Sequence, residues 1–233
     1  MGVTPGDRGR FEDFDAVAQS DHWDDETRAV VFSRLATRAP VVFFTNDEEA
    51  VARALLDRLL AQDDEPKVPV LELIDSRLLR REGDGYRYHD MPDDGDAWKR
   101  SVWALDDEAV RRCHKRFSEL DTRCQKHLIE QVRTAPGTWH GMPGTRVFQL
   151  WMRYATTAFY SHPWAWNEIG FPGPAYPRGY KALGLDRLEP FERRERDPRD
   201  PIPWLRKVEA ARAEHDERPD PSRSGADTTA ETD

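Results

Sequence analysis

The residues that decide the fold lie between Thr138 and Leu183, where the chain reads TWHGMPGTRVFQLWMRYATTAFYSHPWAWNEIGFPGPAYPRGYKAL. Within this stretch, the part from Val147 to Tyr160 carries apolar side chains on almost every face of a helix. A helix that is apolar all round must be buried, so we expect this segment to form the central helix of a bundle. The residues at helical spacing are Val147, Leu150, Trp151, Tyr154 and Ala158.

The segment that follows, from His162 to Tyr180, is interrupted by prolines. Each proline lacks the backbone donor and disfavours helical geometry in the residue before it. We therefore expect an extended, rigid ribbon after the central helix. The prolines are Pro163, Pro172, Pro174 and Pro177.

Large aromatic side chains follow one another at short intervals in this ribbon, and two interpretations of them remain open. The rings either fill the chain's own core or form a docking surface for another protein, since Trp and Tyr offer large rigid contact areas. Asn167 and Glu168 either satisfy backbone donors of the turn or reach an arginine of the partner. The candidate partner-binding residues are Trp164, Trp166, Asn167, Glu168, Phe171, Tyr176 and Tyr180.

Upstream of this stretch, two short helices are predicted in tandem. Thr45 with Glu48 three residues later has the pattern of a capping box, which predicts a helix start. Pro69 predicts the start of the next helix, which we expect to end by Gly83. The inward positions expected for the first of these helices are Val51, Ala54, Leu55, Arg58 and Leu59.

A second pair of helices is predicted between residues 105 and 133. Asp106 or Asp107 is expected to cap a helix that runs through Phe117, and Asp121 a helix that runs to about Val132. The sequence therefore predicts an all-α fold: a compact helical bundle, an extended Pro/Gly/aromatic ribbon after the central helix, and disordered termini.

The composition changes along the chain and predicts four regions. Residues 1–40 are expected to form a loosely ordered arm with one short helix from Glu26 to Thr37, and residues 41–185 the helical domain. We expect Phe11 and Phe14 to pack onto the body. Residues 186–213 are predicted to be an extended arm with a short helix near Trp204, and residues 214–233 a disordered tail.

Overall charge and apolar patterning exclude several classes of protein. The net charge of −9 and pI near 5.4 argue against nucleic-acid binding. No run approaches the ~20 apolar residues of a membrane-spanning helix, so no direct membrane insertion is expected. Cys113 and Cys124 are too few for a disulfide framework, and we expect both to be reduced and buried.

Residues able to carry chemistry are sparse. His162 and Glu168 are candidates for a cleft, because a carboxylate among apolar rings can have the raised pKa that a general base requires. No metal-binding spacing, nucleophile elbow, phosphate loop or dinucleotide motif accompanies them. A small self-sufficient hydrolase or isomerase and a helical scaffold for an unrelated partner remain alternatives.

Three segments together resemble the gluconate 2-dehydrogenase subunit 3 family. These are FFTNDEEAVARALLDRLLAQDDEPKVPVLELIDSRL, FSELDTRCQKHLIEQV and FYSHPWAWNEIGFPGPAYPRGYKAL, with FPGPAYP as the most specific mark. The resemblance covers about residues 41–183. It implies a cofactor-free, non-catalytic subunit that binds and stabilises or matures a flavin-dependent dehydrogenase of the glucose-methanol-choline type, which oxidises sugars, sugar acids or polyols.

The same resemblance sets the expectations for cofactor, further partners and location. Flavin (FAD) is expected in the large subunit, and a cytochrome c subunit is compatible with the family. Many relatives begin with a twin-arginine export signal, and none is visible in this chain. As written, the chain is expected in the cytoplasm, or in the periplasm or cell envelope if its partner carries the signal or its start is misassigned.

Overall fold

The structure is a computed structural model that describes residue 11 and residues 14–36, 39–184 and 187–194. These residues are mostly helical, which confirms the predicted all-α class. The order is a 3₁₀ helix Ala16–His22, α1 Asp25–Ala36, α2 Asn46–Leu60, α3 Val70–Leu79, α4 Asp94–Cys113, a 3₁₀ helix Phe117–Glu119, α5 Thr122–Arg133, β1 Thr138–Trp139, β2 Met142–Pro143, α6 Gly144–Tyr160 and α7 Pro163–Ile169. The strands β1 and β2 pair antiparallel in a short hairpin.

Helix α6 lies at the centre of the bundle, as its sequence predicts. It packs against α2, α3, α4 and α5 and leads directly into α7. The indole Nε1 of Trp151 donates to Oγ of Ser101 at 2.9 Å, so this fully buried ring also has its polar atom satisfied. The buried side chains of α6 include Val147, Leu150, Trp151, Tyr154, Ala155 and Ala158.

Local capping signals place the ends of two helices correctly. The side chain of Thr45 accepts from the Glu48 backbone while the Glu48 carboxylate accepts from the Thr45 backbone, which confirms the capping box of α2. Asp121 caps α5 through Cys124 N at 2.8 Å. The buried face of α2 differs from the prediction because this helix has neighbours on several sides, namely α3, α4, α5 and α6. Its buried residues are Val51, Ala52, Leu55 and Leu56.

A buried carboxylate holds the chain that leads into α2. Asp75, on α3, is 1% exposed and accepts three backbone N–H bonds. Val42 N donates to one oxygen at 2.9 Å, and Phe43 N and Phe44 N donate to the other at 2.8 and 3.0 Å. These bonds fix where α2 begins relative to α3.

Helix α4 is the main departure from the sequence-based expectation. The sequence predicts a helix capped by Asp106 or Asp107 that runs through Phe117, whereas α4 is one 20-residue helix that starts at Asp94 and ends at Cys113. The buried face that includes Trp98 and Leu105 runs unbroken through both halves, so packing extends the helix across its polar first turns. Asp106 therefore lies inside α4, where its carboxylate accepts from Phe117 N at 2.9 Å.

The predicted ribbon is also helical at its start. Pro163 opens α7 instead of ending the helical structure, because the first helical position needs no backbone donor and proline already has a helical φ. The segment without helix or strand begins at Gly170, which ends α7 in the left-handed conformation with φ 68°. This segment is described up to residue 194, apart from residues 185–186.

The described N-terminal residues contain a helix and buried side chains. α1 coincides with the predicted helix to within one residue at each end, and Phe14 is buried as expected. The described residues up to 194 belong to one compact unit, while the predicted region boundaries stay predictions. The predicted helix near Trp204 and the predicted tail 214–233 lie outside the described residues. Cys113 and Cys124 are free as expected, but they are half-exposed because they lie at helix ends.

Candidate partner-binding surface

The corner between α6 and α7 positions the candidate residues. Ser161 O, at the end of α6, accepts from Nη1 of Arg34 on α1 at 2.8 Å. His162 then caps α7, because its Nδ1 accepts from Trp164 N at 3.2 Å. With Pro163 at its start and Gly170 at its end, α7 is restricted to seven residues.

Two of the candidate residues face into the chain. Trp166 is 4% exposed, and its Nε1 donates to Tyr160 O at 2.7 Å. Asn167 is fully buried, and its Oδ1 accepts from Ala16 N at 2.7 Å across the interface with the N-terminal region. In the isolated chain both side chains therefore hold α7 against that region.

Trp164 and Glu168, the other two candidates on α7, are half-buried. Trp164 packs against the main core, and its ring lies edge-on to His162 at 5.0 Å between centroids. Glu168 presents part of its side chain to solvent. Both residues leave some surface available to a partner.

The remaining three candidates, beyond the end of α7, are exposed. Phe171 is 37% exposed and packs edge-on against Trp166 at 5.4 Å, while Tyr180 is 50% exposed and lies 5.8 Å from the Phe191 ring. Tyr176, at 67% exposed, presents most of its ring to solvent. Exposed aromatic surface of this kind is typical of protein-interaction sites.

Other exposed apolar side chains in the same part of the chain were missed by sequence reasoning. Ile169 follows the buried face of α7 and points away from it, a position that could be inferred only once α7 was known to be a helix. The missed residues are Tyr160, Ile169, Leu183 and Leu188. The structure thus divides the predicted set into an inner part on α7 and an outer part after it, and the partner role of all seven residues stays a prediction.

His162 has the environment of a structural residue. Burial lowers the pKa of its imidazole to about 4, and a hydrogen bond with the Arg34 backbone opposes that shift only partly. The ring is therefore neutral at neutral pH, with Nδ1 engaged by the Trp164 backbone. This geometry favours helix capping over the catalytic role considered for His162.

A charged cavity of about 750 Å³ lies between α4 and the loop that precedes it. Arg153 joins its two walls, with Nη1 2.8 Å from Asp84 and Nη2 2.9 Å from Asp94. Tyr154 OH donates to Asp94 at 2.7 Å. The pKa of the phenol is raised, chiefly by burial and secondly by this hydrogen bond. Sequence reasoning missed this network, because Arg153 and Tyr154 are far from the two aspartates along the chain. Its ionic groups pair with one another and hold the loop on the bundle.

The described residues also bear on metal binding and on membrane crossing. Within those residues, no group of three or more His, Cys, Asp or Glu side chains is placed to hold a metal ion. None of the helices in the described part of the chain has the length and apolar character needed to cross a bilayer.

Comparison with known proteins identifies the family. The family model described as gluconate 2-dehydrogenase subunit 3 matches residues 46–173, from the first residue of α2 to just beyond α7, which is more than half of the chain. Comparisons with curated proteins and with solved structures gave no match. The matched region contains the whole helical bundle and five of the seven candidate residues, with Tyr176 and Tyr180 beyond its end. The chain therefore belongs to the gluconate 2-dehydrogenase subunit 3 family.

Proposed function

We propose that this chain is a non-catalytic small subunit that binds a flavin-dependent dehydrogenase of the glucose-methanol-choline type and stabilises or matures it. The observation that carries the proposal is membership of a family named for a subunit of gluconate 2-dehydrogenase. In this proposal the large subunit holds the FAD and oxidises a sugar, sugar acid or polyol. A cytochrome c subunit accepting the electrons is compatible with the same complex.

The exposed rings that follow α7 support a role in binding. Phe171, Tyr176 and Tyr180 expose apolar area to water. Covering this area with the surface of another protein lowers the free energy. A stable complex buries about 1,600 Å² in total, and a few aromatic side chains near its centre supply most of the affinity. Binding of this chain to the large subunit favours the flavin-loaded form of the large subunit by mass action.

The chemistry of the chain's polar groups also supports an accessory role. His162 is neutral and caps a helix, and Asp84 and Asp94, which line the cavity beside α4, are engaged in ion pairs with Arg153. General acid-base catalysis requires a group that can exchange a proton with a bound substrate at the working pH. His162 and these paired carboxylates are therefore better suited to holding the fold together than to catalysis.

Co-expression tests the proposal. The large subunit is produced with and without this chain, and its bound flavin and gluconate-oxidising activity are measured. We expect both to be low without the chain and to rise when the chain is present. Equal flavin content and equal activity in the two preparations would refute the stabilising role.

The purified chain is the control for catalysis. Assayed alone with gluconate and an artificial electron acceptor, it should give no turnover. Oxidation of gluconate by the chain alone would refute its assignment as a non-catalytic subunit.

A further inference from the structure

The N-terminal region forms a small core of its own with α7. We use the name N-terminal clasp for Phe11 together with residues 14–36. The clasp contacts α7 through both its 3₁₀ helix and α1. Its buried side chains cluster with Trp166, separately from the main core of the bundle. The cluster consists of Phe14, Ala16, Trp23, Val31 and Trp166.

Directional bonds attach the N-terminal clasp before, within and after α7. Arg34 donates to Ser161 O at 2.8 Å at the end of α6, and Ala16 N donates to Asn167 Oδ1 at 2.7 Å on α7. Beyond α7, Nη1 of Arg178 donates to Gln19 Oε1 at 2.9 Å. The three bonds span more than 120 residues of sequence each, so they fix this part of the chain through tertiary structure alone.

Two glycines fit the rings of the clasp closely. A Cβ at Gly170 would lie 2.6 Å from the Phe11 ring, and a Cβ at Gly173 would lie 2.5 Å from Cζ2 of Trp23. Both glycines also have positive φ, at 68° and 80°. The segment after α7 therefore approaches the clasp at distances that side-chain-bearing residues cannot adopt.

We propose that the N-terminal clasp is an intramolecular positioning element that holds α7 and residues 170–180 in one conformation. It thereby sets the geometry of the exposed rings Phe171, Tyr176 and Tyr180. The clasp lies outside residues 46–173, so this support is an addition to the family's matched region. The consequence for partner binding rests on the function proposed above, whereas the positioning itself does not.

The contacts favour a permanent support over a segment that a partner displaces. Displacement would expose the buried Trp166 and Trp23 rings and leave the buried amide of Asn167 without its bond to Ala16. Meanwhile Tyr176 is already 67% exposed with the clasp in place. A partner can therefore reach the outer rings without removing the clasp.

The test is the variant Gly173→Ala in the full chain, with Gly85→Ala as its matched control. The two glycines have nearly the same φ, 80° and 79°, but a Cβ at Gly85 has nothing within 4 Å. Backbone strain is thus similar in both variants, and only Gly173→Ala pushes Trp23 away. Hydrogen exchange measures whether the backbone of the clasp and of α7 opens more often.

The expected result is local. In Gly173→Ala, amide exchange in residues 14–36 and 163–174 should be at least roughly tenfold faster than in Gly85→Ala, with α2–α5 unchanged. Adding Trp23→Phe, which shortens the opposing ring, should recover part of the protection, as contacting residues are coupled. Exchange equal to that of Gly85→Ala would overturn the proposal.

Affinity for the flavin-dependent subunit used in the co-expression test is the second measurement. Gly173→Ala should weaken binding by at least roughly tenfold, and Gly85→Ala should leave it unchanged. Faster exchange with unaltered affinity would overturn the role of the clasp in docking while leaving the proposed function intact. If the unmodified chain does not bind, the proposed function fails, and exchange alone decides whether the clasp positions α7.

Discussion

Replacing Trp166 and Tyr176 by alanine separates folding from docking. Trp166 is 4% exposed, contacts the Phe171 ring and donates to Tyr160 O. Its truncation removes a buried indole, leaves a cavity and frees a carbonyl, so Trp166→Ala should lower the free energy of unfolding by about 3–5 kcal/mol. This loss is a large part of the stability of an ordinary domain, about 5–15 kcal/mol.

Tyr176→Ala should weaken partner binding and leave the free energy of unfolding almost unchanged. The ring is 67% exposed, so its removal should change the free energy of unfolding by about 0.5 kcal/mol or less. If the ring anchors the interface, the same change should cost about 2 kcal/mol of binding free energy, or roughly thirtyfold in Kd. Tyr86→Ala is the control, because Tyr86 is a comparably exposed tyrosine on the loop before α4.

Two assays read out this prediction. Urea unfolding followed by tryptophan fluorescence gives the free energy of unfolding, and titration of the large subunit gives Kd. Unchanged affinity of Tyr176→Ala, or a loss as large in Tyr86→Ala, would refute the docking role of Tyr176. If Trp166→Ala were as stable as the wild type, the buried position assigned to this ring would be wrong.

Three further predictions concern stability and are measured by urea unfolding. Asp75→Ala removes a carboxylate that accepts three backbone N–H bonds, so it should lower the free energy of unfolding by about 4 kcal/mol. A loss under about 1 kcal/mol would contradict this role of Asp75. Because burial lowers the pKa of His162 from 6.5 to about 4, the unfolded state takes up its proton first as pH falls. The free energy of unfolding should therefore drop by about 2 kcal/mol between about pH 7.5 and about pH 5. His162→Asn keeps a helix cap but should remove this pH dependence. An equally steep pH dependence in that variant would disprove the assignment. Gly144→Ala places a Cβ 2.7 Å from the Ala135 Cβ and should cost about 1–3 kcal/mol, whereas Gly83→Ala meets nothing within 4 Å and should be neutral; equal stabilities would contradict the close packing.

Local signals predicted the fold best where the physics itself is local. The Thr45 capping box and the Asp121 cap act within one turn of helix, so sequence spacing alone locates the start of α2 and α5. The start of α4 was missed because its first turns are acidic and contain Gly95. Their helical conformation depends on burying Trp98 against other helices, which a local pattern does not reveal.

The candidate surface was predicted only as a set. Proline positions correctly indicated a break after α6, but they did not show that Pro163 would begin another helix. Burial then divided the rings: Trp166 turned inward and Tyr176 outward, although both are aromatic residues of the same segment. The difference arises from Phe14 and Trp23, which lie more than 140 residues upstream and cover one side of α7.

The amino-acid sequence by itself determined the helical class, the buried central helix and the family, because periodicity, caps and motifs are properties of neighbouring residues. The tertiary structure alone decided which aromatic rings are interior, what caps α7 and how the N-terminal clasp supports it. Those outcomes depend on contacts between segments far apart in the chain, such as the bond from Ala16 to Asn167. A side chain's exposure is set by what the rest of the chain leaves uncovered, and only the folded molecule specifies that.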